Sequence, residues 1–168
     1  MRRILDSLSV FSKRIEDALL VLLLSSMIAL ATLQIIQRNL LGTGFVWSDE
    51  LLRVMVLAVA LIGAVAASRD DNHINIDILT RFLPPRVKLV VRVLVDAFTA
   101  LVTGVVAWHA VKFVALEKEF ESVILGDVPA WIFQLIIPIC MGLISWRYLV
   151  YFFTNILRLL KGDMEDES

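Results

Sequence analysis

The chain has 168 residues, of which 59% are hydrophobic and 20% are charged. A typical globular domain is about 45–50% apolar and about 25% charged, and a chain of this length buries only about 70% of its unfolded surface. The composition, with its single cysteine, excludes a water-soluble enzyme, a disordered chain and a disulfide scaffold. Because 16 Lys and Arg oppose 17 Asp and Glu, no basic excess points to a nucleic acid partner. We predict a small integral membrane protein embedded in the lipid bilayer.

Four apolar stretches are long enough to cross a membrane. The first, residues 18–37, has no formal charge and covers a hydrocarbon core of about 30 Å as a helix. It is interpreted as an uncleaved anchor, because its apolar run continues beyond the signal-peptide-like triplet Ala29-Leu30-Ala31. We predict an all-α membrane protein, since an open sheet cannot satisfy its backbone in lipid. A single domain over residues 1–168 then has spans at about 17–38, 50–69, 88–111 and 128–150 and an acidic tail at 163–168.

Lys and Arg are distributed unevenly over the connections between these spans. Eleven lie in the N-terminal segment, the connection between spans two and three and the C-terminal end, whereas three lie in the other two connections. This asymmetry predicts that both termini are cytoplasmic. Between spans two and three we expect a short amphipathic helix on the cytoplasmic surface, in which Ile74 and Ile78 belong to one apolar stripe.

Two charged residues lie inside the third span. Arg92 and Asp96 are four residues apart and therefore share a helix face. Asp96 lies roughly 16 Å along a helix that starts near Pro85, which approaches the bilayer centre. One interpretation is an ion pair with Arg92 that eases insertion into the membrane. The other is that Asp96 faces another helix or another subunit.

The segment Trp47-Ser48-Asp49-Glu50-Leu51-Leu52-Arg53 opens the second span. Its tryptophan is typical of the membrane interface, and acids in a first helical turn interact favourably with the helix dipole. The segment therefore indicates a helix that begins at the outer membrane surface. Arg53 lies one turn inside and has the spacing to pair with Asp49 or Glu50.

A second polar group follows the second span. Arg69 is followed by His73 and Asp77, which are four residues apart. We interpret His73 as paired within its own helix rather than as a metal or proton site. The chain has no Walker motif, nucleophile elbow or metal-ligand set, so no catalytic, cofactor-binding or metal site is predicted.

These residues, in their order along the chain, resemble a known family. The matching elements are Gln37-Arg38, the Trp47–Arg53 segment, Gly63-Ala64 with Ala67 and Arg69, His73-Ile74-Asn75-Ile76-Asp77, Leu83-Pro84, Pro129-Ala130-Trp131 and Pro138. Across residues 15–158 they are similar to the small membrane subunit (DctQ-like) of TRAP, or tripartite ATP-independent periplasmic, transporters. The second span departs from the family in lacking the aromatic residues expected after Arg53.

The resemblance implies a transport function in the bacterial cell inner membrane. In such transporters a periplasmic substrate-binding protein delivers an organic acid to a large, many-span membrane subunit that carries the substrate and sodium sites. The small subunit is a fixed scaffold. The resemblance thus implies import driven by an ion gradient, without enzymatic activity or a cofactor in this chain.

Candidate contact residues fall into two groups. The first, which would organise the helices of this chain or its contact with the large subunit, consists of Trp47, Glu50, Arg53, Arg69, His73, Asp77, Arg92 and Asp96. The second lies in the outer connection, residues 112–127, and would contact the binding protein through Glu117, Glu119 and Glu121. An alternative function is a self-sufficient, homo-oligomeric four-helix transporter that uses Asp96. A membrane redox subunit is a third possibility and would require a cofactor.

Overall fold

The computed structural model describes residues 2–40, 42, 46–69 and 85–161. Side chains are described for residues 14–40, 42, 47–69 and 87–160. The predicted amphipathic helix, with His73 and Asp77, lies outside the described residues, as does the predicted acidic tail 163–168.

Four long helices confirm the predicted all-α membrane fold. They are α1 (Arg2–Leu40), α2 (Val46–Ala67), α3 (Pro85–Glu119) and α5 (Ile136–Lys161), and the short α4 (Ala130–Gln134) leads into α5. Each of the four is long and apolar enough to cross a membrane. Helices form because a segment inside lipid must satisfy its backbone hydrogen bonds internally. The cytoplasmic position of the termini stays a prediction.

Hydroxyl side chains inside these helices bond to the backbone of the preceding turn. Thr32 donates to the carbonyl oxygen of Ile28 at 2.8 Å, and Thr103 donates to that of Thr99 at 2.7 Å. Each hydroxyl therefore satisfies its donor without water, as a polar group in lipid must.

α3 extends beyond the predicted third span, residues 88–111. Its last eight residues include Ala, Leu, Lys and Glu, which are good helix formers. Val114 in this part is also buried, so packing supports the extension. The connection predicted to be a loop from Lys112 onward is therefore helical up to Glu119.

A short antiparallel hairpin joins α3 to α4. Its strands are β1 (Val123–Ile124) and β2 (Val128–Pro129), with Ile124 opposite Val128. In the turn, Leu125 and Gly126 have φ values of 57° and 96°, in the left-handed region. The hairpin completes the segment that was predicted to face outside.

The helices pack as two pairs that α2 connects. α3 lies along α5, α1 lies along α2, and α2 also packs against α5. The core contains residues of α2, α3 and α5: Leu61, Val65, Ala100, Cys140, Ile144 and Tyr148. We call the end of the bundle that holds the hairpin the hairpin end. The opposite end, where α2 ends at Ala67 and α3 begins at Pro85, is called the terminal end.

α3 and α5 approach each other closely at Gly104. A Cβ atom at this position would lie 3.1 Å from Ser145 Oγ, which is tighter than an ordinary contact. Ser145 Oγ also donates to the carbonyl oxygen of Ala100 at 2.9 Å. A small residue and a hydroxyl thus permit close packing and an interhelical hydrogen bond, as is typical of helix pairs in membranes.

α1 is peripheral to this core. Within residues 14–40 no side chain is fully buried, and the half-buried positions recur every three or four residues along one stripe. This stripe faces α2, the helix with which α1 shares most of its contacts. The remaining surface of α1 is apolar and open, so lipid or another protein must cover it in the membrane.

Candidate subunit-contact sites

A polar cluster at the terminal end, here called the arginine cluster, consists of Glu16 on α1, Arg69 after α2 and Arg147 on α5. The Glu16 carboxylate accepts from Arg147 Nη2 at 2.7 Å and from Arg69 Nη1 at 3.2 Å. Arg69 Nη2 also lies 3.4 Å from Asp17 Oδ1. The Glu16 side chain is only 14% exposed, which weakens screening of its ion pairs by solvent. One carboxylate therefore ties α1 to both α2 and α5.

The same cluster closes the C-terminal end of α2. Arg147 donates to the carbonyl oxygen of Val65 and, at 3.2 Å, to Ser68 Oγ. Tyr151 on α5 donates to the carbonyl oxygen of Arg69 at 3.2 Å. Carbonyl groups at a helix end lack later N–H partners, and positive charge is favourable beside them. These contacts hold the last turn of α2 against α5.

Among these residues, only Arg69 was a candidate from the sequence. Glu16 and Arg147 are 131 residues apart, and each borders an apolar run in the way that charges at membrane boundaries do. In the sequence, neither residue therefore differs from an ordinary charge at a membrane boundary. The signal that could have found them is that both lie at the same predicted membrane surface with opposite charges.

At the hairpin end, the acidic start of α2 makes contacts in two directions. Glu50 Oε2 accepts from the backbone N–H of Leu125, in the turn of the hairpin, at 2.7 Å. Its neighbour Asp49 accepts a hydrogen bond from Gln34 of α1. α2 is thus bonded to neighbouring elements at both of its ends. Trp47, which was predicted at this surface, is exposed there.

Asp96 lies between α3 and α5. The residue is 2% exposed, and Oδ2 accepts from Asn155 Nδ2 at 2.8 Å. Asp96 therefore faces another helix of the same chain. Arg92, one turn away on α3, is half-buried. A buried polar pair of this kind favours one position of each helix along the other, because a shift would break the hydrogen bond between the two side chains.

Removing the Asp96 carboxylate should destabilise the α3–α5 pair. We expect Asp96→Ala to lower the free energy of unfolding in detergent by about 1–2 kcal/mol, because the Asn155 amide loses this acceptor. Asp96→Asn keeps an acceptor oxygen and should cost less. A double-mutant cycle with Asn155→Leu, measured by denaturation in SDS, checks this. Additive effects of the two single changes would show that the pair is not coupled.

α2 carries an open face along its whole length. Arg53, Val56, Leu57, Ala60, Ala64 and Ala67 are all exposed and recur every three or four residues. A Cβ atom at Gly63, which borders this face, would meet no atom within 4 Å. Asp49 and Glu50, the predicted ion-pair partners of Arg53, are hydrogen-bonded to Gln34 and Leu125. We call this surface the α2 face.

The acidic candidates lie around the hairpin. Glu117 and Glu119 are in the last turn of α3, and Glu121 follows with a φ of 50°. Glu117 is half-buried, whereas the other two are exposed. Phe120 between them is 76% exposed. The hairpin end thus presents acids beside exposed apolar side chains.

The sequence-based candidates do not form one site. Glu50 and Trp47 lie at the hairpin end, Arg53 on the α2 face, Arg69 in the arginine cluster, and Asp96 in the α3–α5 contact. Within the described residues, no three His, Cys, Asp or Glu side chains are grouped so that they could hold a metal ion. The arrangement suits contacts between helices and with other proteins.

Comparison with known proteins identifies relatives. The family model for tripartite ATP-independent periplasmic transporters, DctQ component, matches residues 27–158, which confirms the resemblance found in the sequence. The chain is 26% identical over 148 residues to the sialic acid TRAP transporter small permease protein SiaQ of Vibrio cholerae. That match covers 88% of this chain and 84% of SiaQ.

Two further relatives are longer than this chain, which matches only part of each of them. The C4-dicarboxylate TRAP transporter small permease protein DctQ of Rhodobacter capsulatus is 28% identical over 123 residues, which are 72% of this chain and 54% of that protein. The sialic acid TRAP transporter permease protein SiaT of Haemophilus influenzae is 26% identical over 120 residues. These are 69% of this chain but only 19% of SiaT.

Proposed function

Because this chain belongs to the DctQ component family of tripartite ATP-independent periplasmic transporters, we propose that it is a scaffold subunit for a larger membrane subunit of such a transporter. The complex lies in the bacterial inner membrane and imports an organic acid, driven by an ion gradient such as that of sodium. A periplasmic substrate-binding protein delivers the substrate. Both termini of this chain are cytoplasmic, as the distribution of Lys and Arg predicts.

The observation that supports a scaffold role most strongly is the way α2 is held. Its start is bonded to the hairpin and α1, its end to α5 and α1, and its middle packs in the core. Such contacts at every level leave α2 little freedom to move relative to the other helices. The α2 face is therefore a rigid surface.

The chemistry of the α2 face suits contact with another membrane helix. Small residues allow two helix backbones to approach closely in lipid. Arg53, near the hairpin end of this face, is costly to expose to hydrocarbon and favours a polar or acidic partner. The relative SiaT supports a larger partner, because the matching segment is less than a fifth of that permease.

The acids of the hairpin end are the proposed contact for the substrate-binding protein. Glu119, Glu121 and Asp127 are exposed beside Phe120 and Val123. In the predicted orientation this surface faces the periplasm. A soluble protein with basic residues around an apolar patch would complement it.

Substitution of Gly63 tests the α2 face. We expect Gly63→Leu to leave the isolated chain folded, because the position is open and leucine is a better helix former than glycine by about 0.8 kcal/mol. Co-purification with the large subunit should fall at least tenfold, because the added side chain blocks close approach of a partner helix. Solute uptake should fall in parallel.

Gly142→Leu on α5 is the matched control for this experiment. A Cβ atom at Gly142 also meets no atom within 4 Å, but this residue borders a different surface of the bundle. We expect this variant to assemble and support uptake normally. Normal assembly of Gly63→Leu would contradict the proposed face, and equal loss in both variants would show that any added bulk is harmful.

The alternative function, a self-sufficient transporter that uses Asp96, is not favoured by the position of this residue. Its carboxylate is buried inside one chain and bonded to Asn155, whereas that function requires it to meet a solute or a second protomer. Transport by the purified chain alone in liposomes would support the alternative and contradict the scaffold.

A further inference from the structure

The turn of the hairpin has a backbone conformation that its sequence does not favour. Leu125 has a φ of 57°, and Glu121 four residues earlier has a φ of 50°. Residues with a side chain rarely adopt this left-handed region, because Cβ approaches the following carbonyl oxygen. Gly126, with a φ of 96°, is the only one of the three turn-region residues suited to it. The surroundings must therefore hold the turn in place.

Glu50 makes a hydrogen bond to this turn. Its Oε2 accepts the backbone N–H of Leu125 at 2.7 Å, across 75 residues of sequence. Leu125 lies between the paired strands, so this N–H is outside the hydrogen bonds of the ladder. A bond from a backbone N–H to a carboxylate is shorter and stronger than one between neutral groups. The start of α2 thereby fixes one conformation of the turn.

The hairpin turn at Leu125 and Gly126 is part of the surface that is proposed to contact the binding protein. Asp127 is exposed in the turn, and Val123 and Val128 are exposed on the two strands. Phe120 and Glu121, both exposed, lie shortly before β1 and are separated from it by Ser122. A change in the turn would alter the spacing of the acids and the apolar side chains relative to each other.

We propose that Glu50 is a positioning residue that preorganises the hairpin for docking of the substrate-binding protein. This inference rests on the proposed function, since it concerns the same docking surface. Glu50 does not touch the binding protein; it acts through the Leu125 backbone. A surface ordered before binding loses less conformational entropy on association, and the affinity is correspondingly higher.

Variants of Glu50 and its neighbour Asp49 distinguish positioning of the hairpin from a general effect of removing an acid at the start of α2. Glu50→Ala removes the acceptor, whereas Glu50→Gln keeps an acceptor oxygen in the same place and removes only the charge. Asp49→Ala is the matched control, because Asp49 is adjacent but accepts from Gln34 of α1 rather than from the hairpin.

The first measurement concerns the hairpin itself. A nitroxide label at residue 127 (Asp127→Cys, in a Cys140→Ala background) reports turn mobility by electron paramagnetic resonance on the purified full chain. We expect the mobile component to grow several-fold in Glu50→Ala and to stay near the parent level in Glu50→Gln and Asp49→Ala. Unchanged mobility in Glu50→Ala, or equal increases in all three variants, would overturn the inference.

The second measurement concerns docking, with the assembled unlabelled transporter in liposomes. In Glu50→Ala, the concentration of loaded binding protein that gives half-maximal uptake should rise roughly tenfold, whereas any fall in maximal uptake should be no larger than in Asp49→Ala, which removes the other bond at the start of α2. Glu50→Gln should restore most of the difference. If mobility rises but this concentration does not change, the hairpin is not the docking surface, and that part of the proposed function fails. If maximal uptake alone falls, Glu50 acts in assembly and the inference is overturned.

Discussion

Leucine in place of Gly104 should force α3 away from α5. A single Cβ atom at this position would already lie 3.1 Å from Ser145 Oγ, and leucine adds three further carbons. Overpacking of a tight contact costs about 1–3 kcal/mol, and loss of the Ser145 bond to Ala100 adds about 1 kcal/mol. Because leucine favours the helix by about 0.8 kcal/mol over glycine, we expect Gly104→Leu to lower the free energy of unfolding by about 2 kcal/mol in all, as measured by denaturation in SDS–detergent mixtures.

Alanine at Gly104 provides the graded control. Its Cβ requires Ser145 to move by only a few tenths of an ångström, and alanine favours the helix by about 1 kcal/mol over glycine. The net change should therefore be small. Adding Ser145→Gly to Gly104→Leu should restore part of the lost stability, because it removes the clashing hydroxyl. A stability of Gly104→Leu equal to that of the parent chain would show that α3 and α5 are not close here.

Removal of the Glu16 carboxylate should loosen the contact of α1 with α2 and α5 at the terminal end of the bundle. Arg147 and Arg69 would both lose an acceptor, while the apolar part of α1 has no fully buried residue to compensate. Breaking a buried pair costs about 3–5 kcal/mol, and the partial exposure of these side chains reduces this to about 1–3 kcal/mol for Glu16→Ala. Spin labels at Leu19 and Leu149, both exposed, should give a broader distance distribution in this variant.

Asp17→Ala is the matched control for Glu16. Asp17 is adjacent in sequence and also near Arg69, but its side chain is 61% exposed and the ion pair spans 3.4 Å. Exposed pairs contribute at most about 1 kcal/mol. We expect Asp17→Ala to change neither stability nor the label distances measurably. Equal effects of the two substitutions would mean that overall charge, rather than the bridging position of Glu16, holds α1.

The four helices could be predicted from sequence because membrane thickness sets the length of an apolar run. Residues 18–37 illustrate this, since 20 uncharged residues match the hydrocarbon core closely. The end of α3 could not be predicted in the same way. Hydropathy falls at Lys112, but the following Ala, Leu and Glu residues still favour a helix, and Val114 is buried.

Local sequence patterns do not predict the long-range polar contacts. A carboxylate inside an apolar span is unusual, so the sequence indicates Asp96 as a candidate, whereas an amide near a span end is common and nothing in the sequence indicates its partner Asn155. The position of Glu50 at a helix start makes it a candidate, but this position does not indicate its contact with Leu125, 75 residues away. Pairings between helices depend on how the helices are rotated, and periodicity alone does not determine this.

The length of α3 determines what an approaching soluble protein encounters first. With 35 residues the helix is about 52 Å long, or about 49 Å across the membrane at an ordinary tilt of about 20°. A bilayer with its headgroups measures about 40–45 Å, so the helix exceeds it by several ångströms in all, and Phe120 follows directly after its C-terminal end. Lipid charge is attenuated over about 8 Å in physiological salt. Because the excess length is no greater than this screening distance, recognition at this height should still respond to the charge of the surrounding phospholipids and should weaken as salt is added.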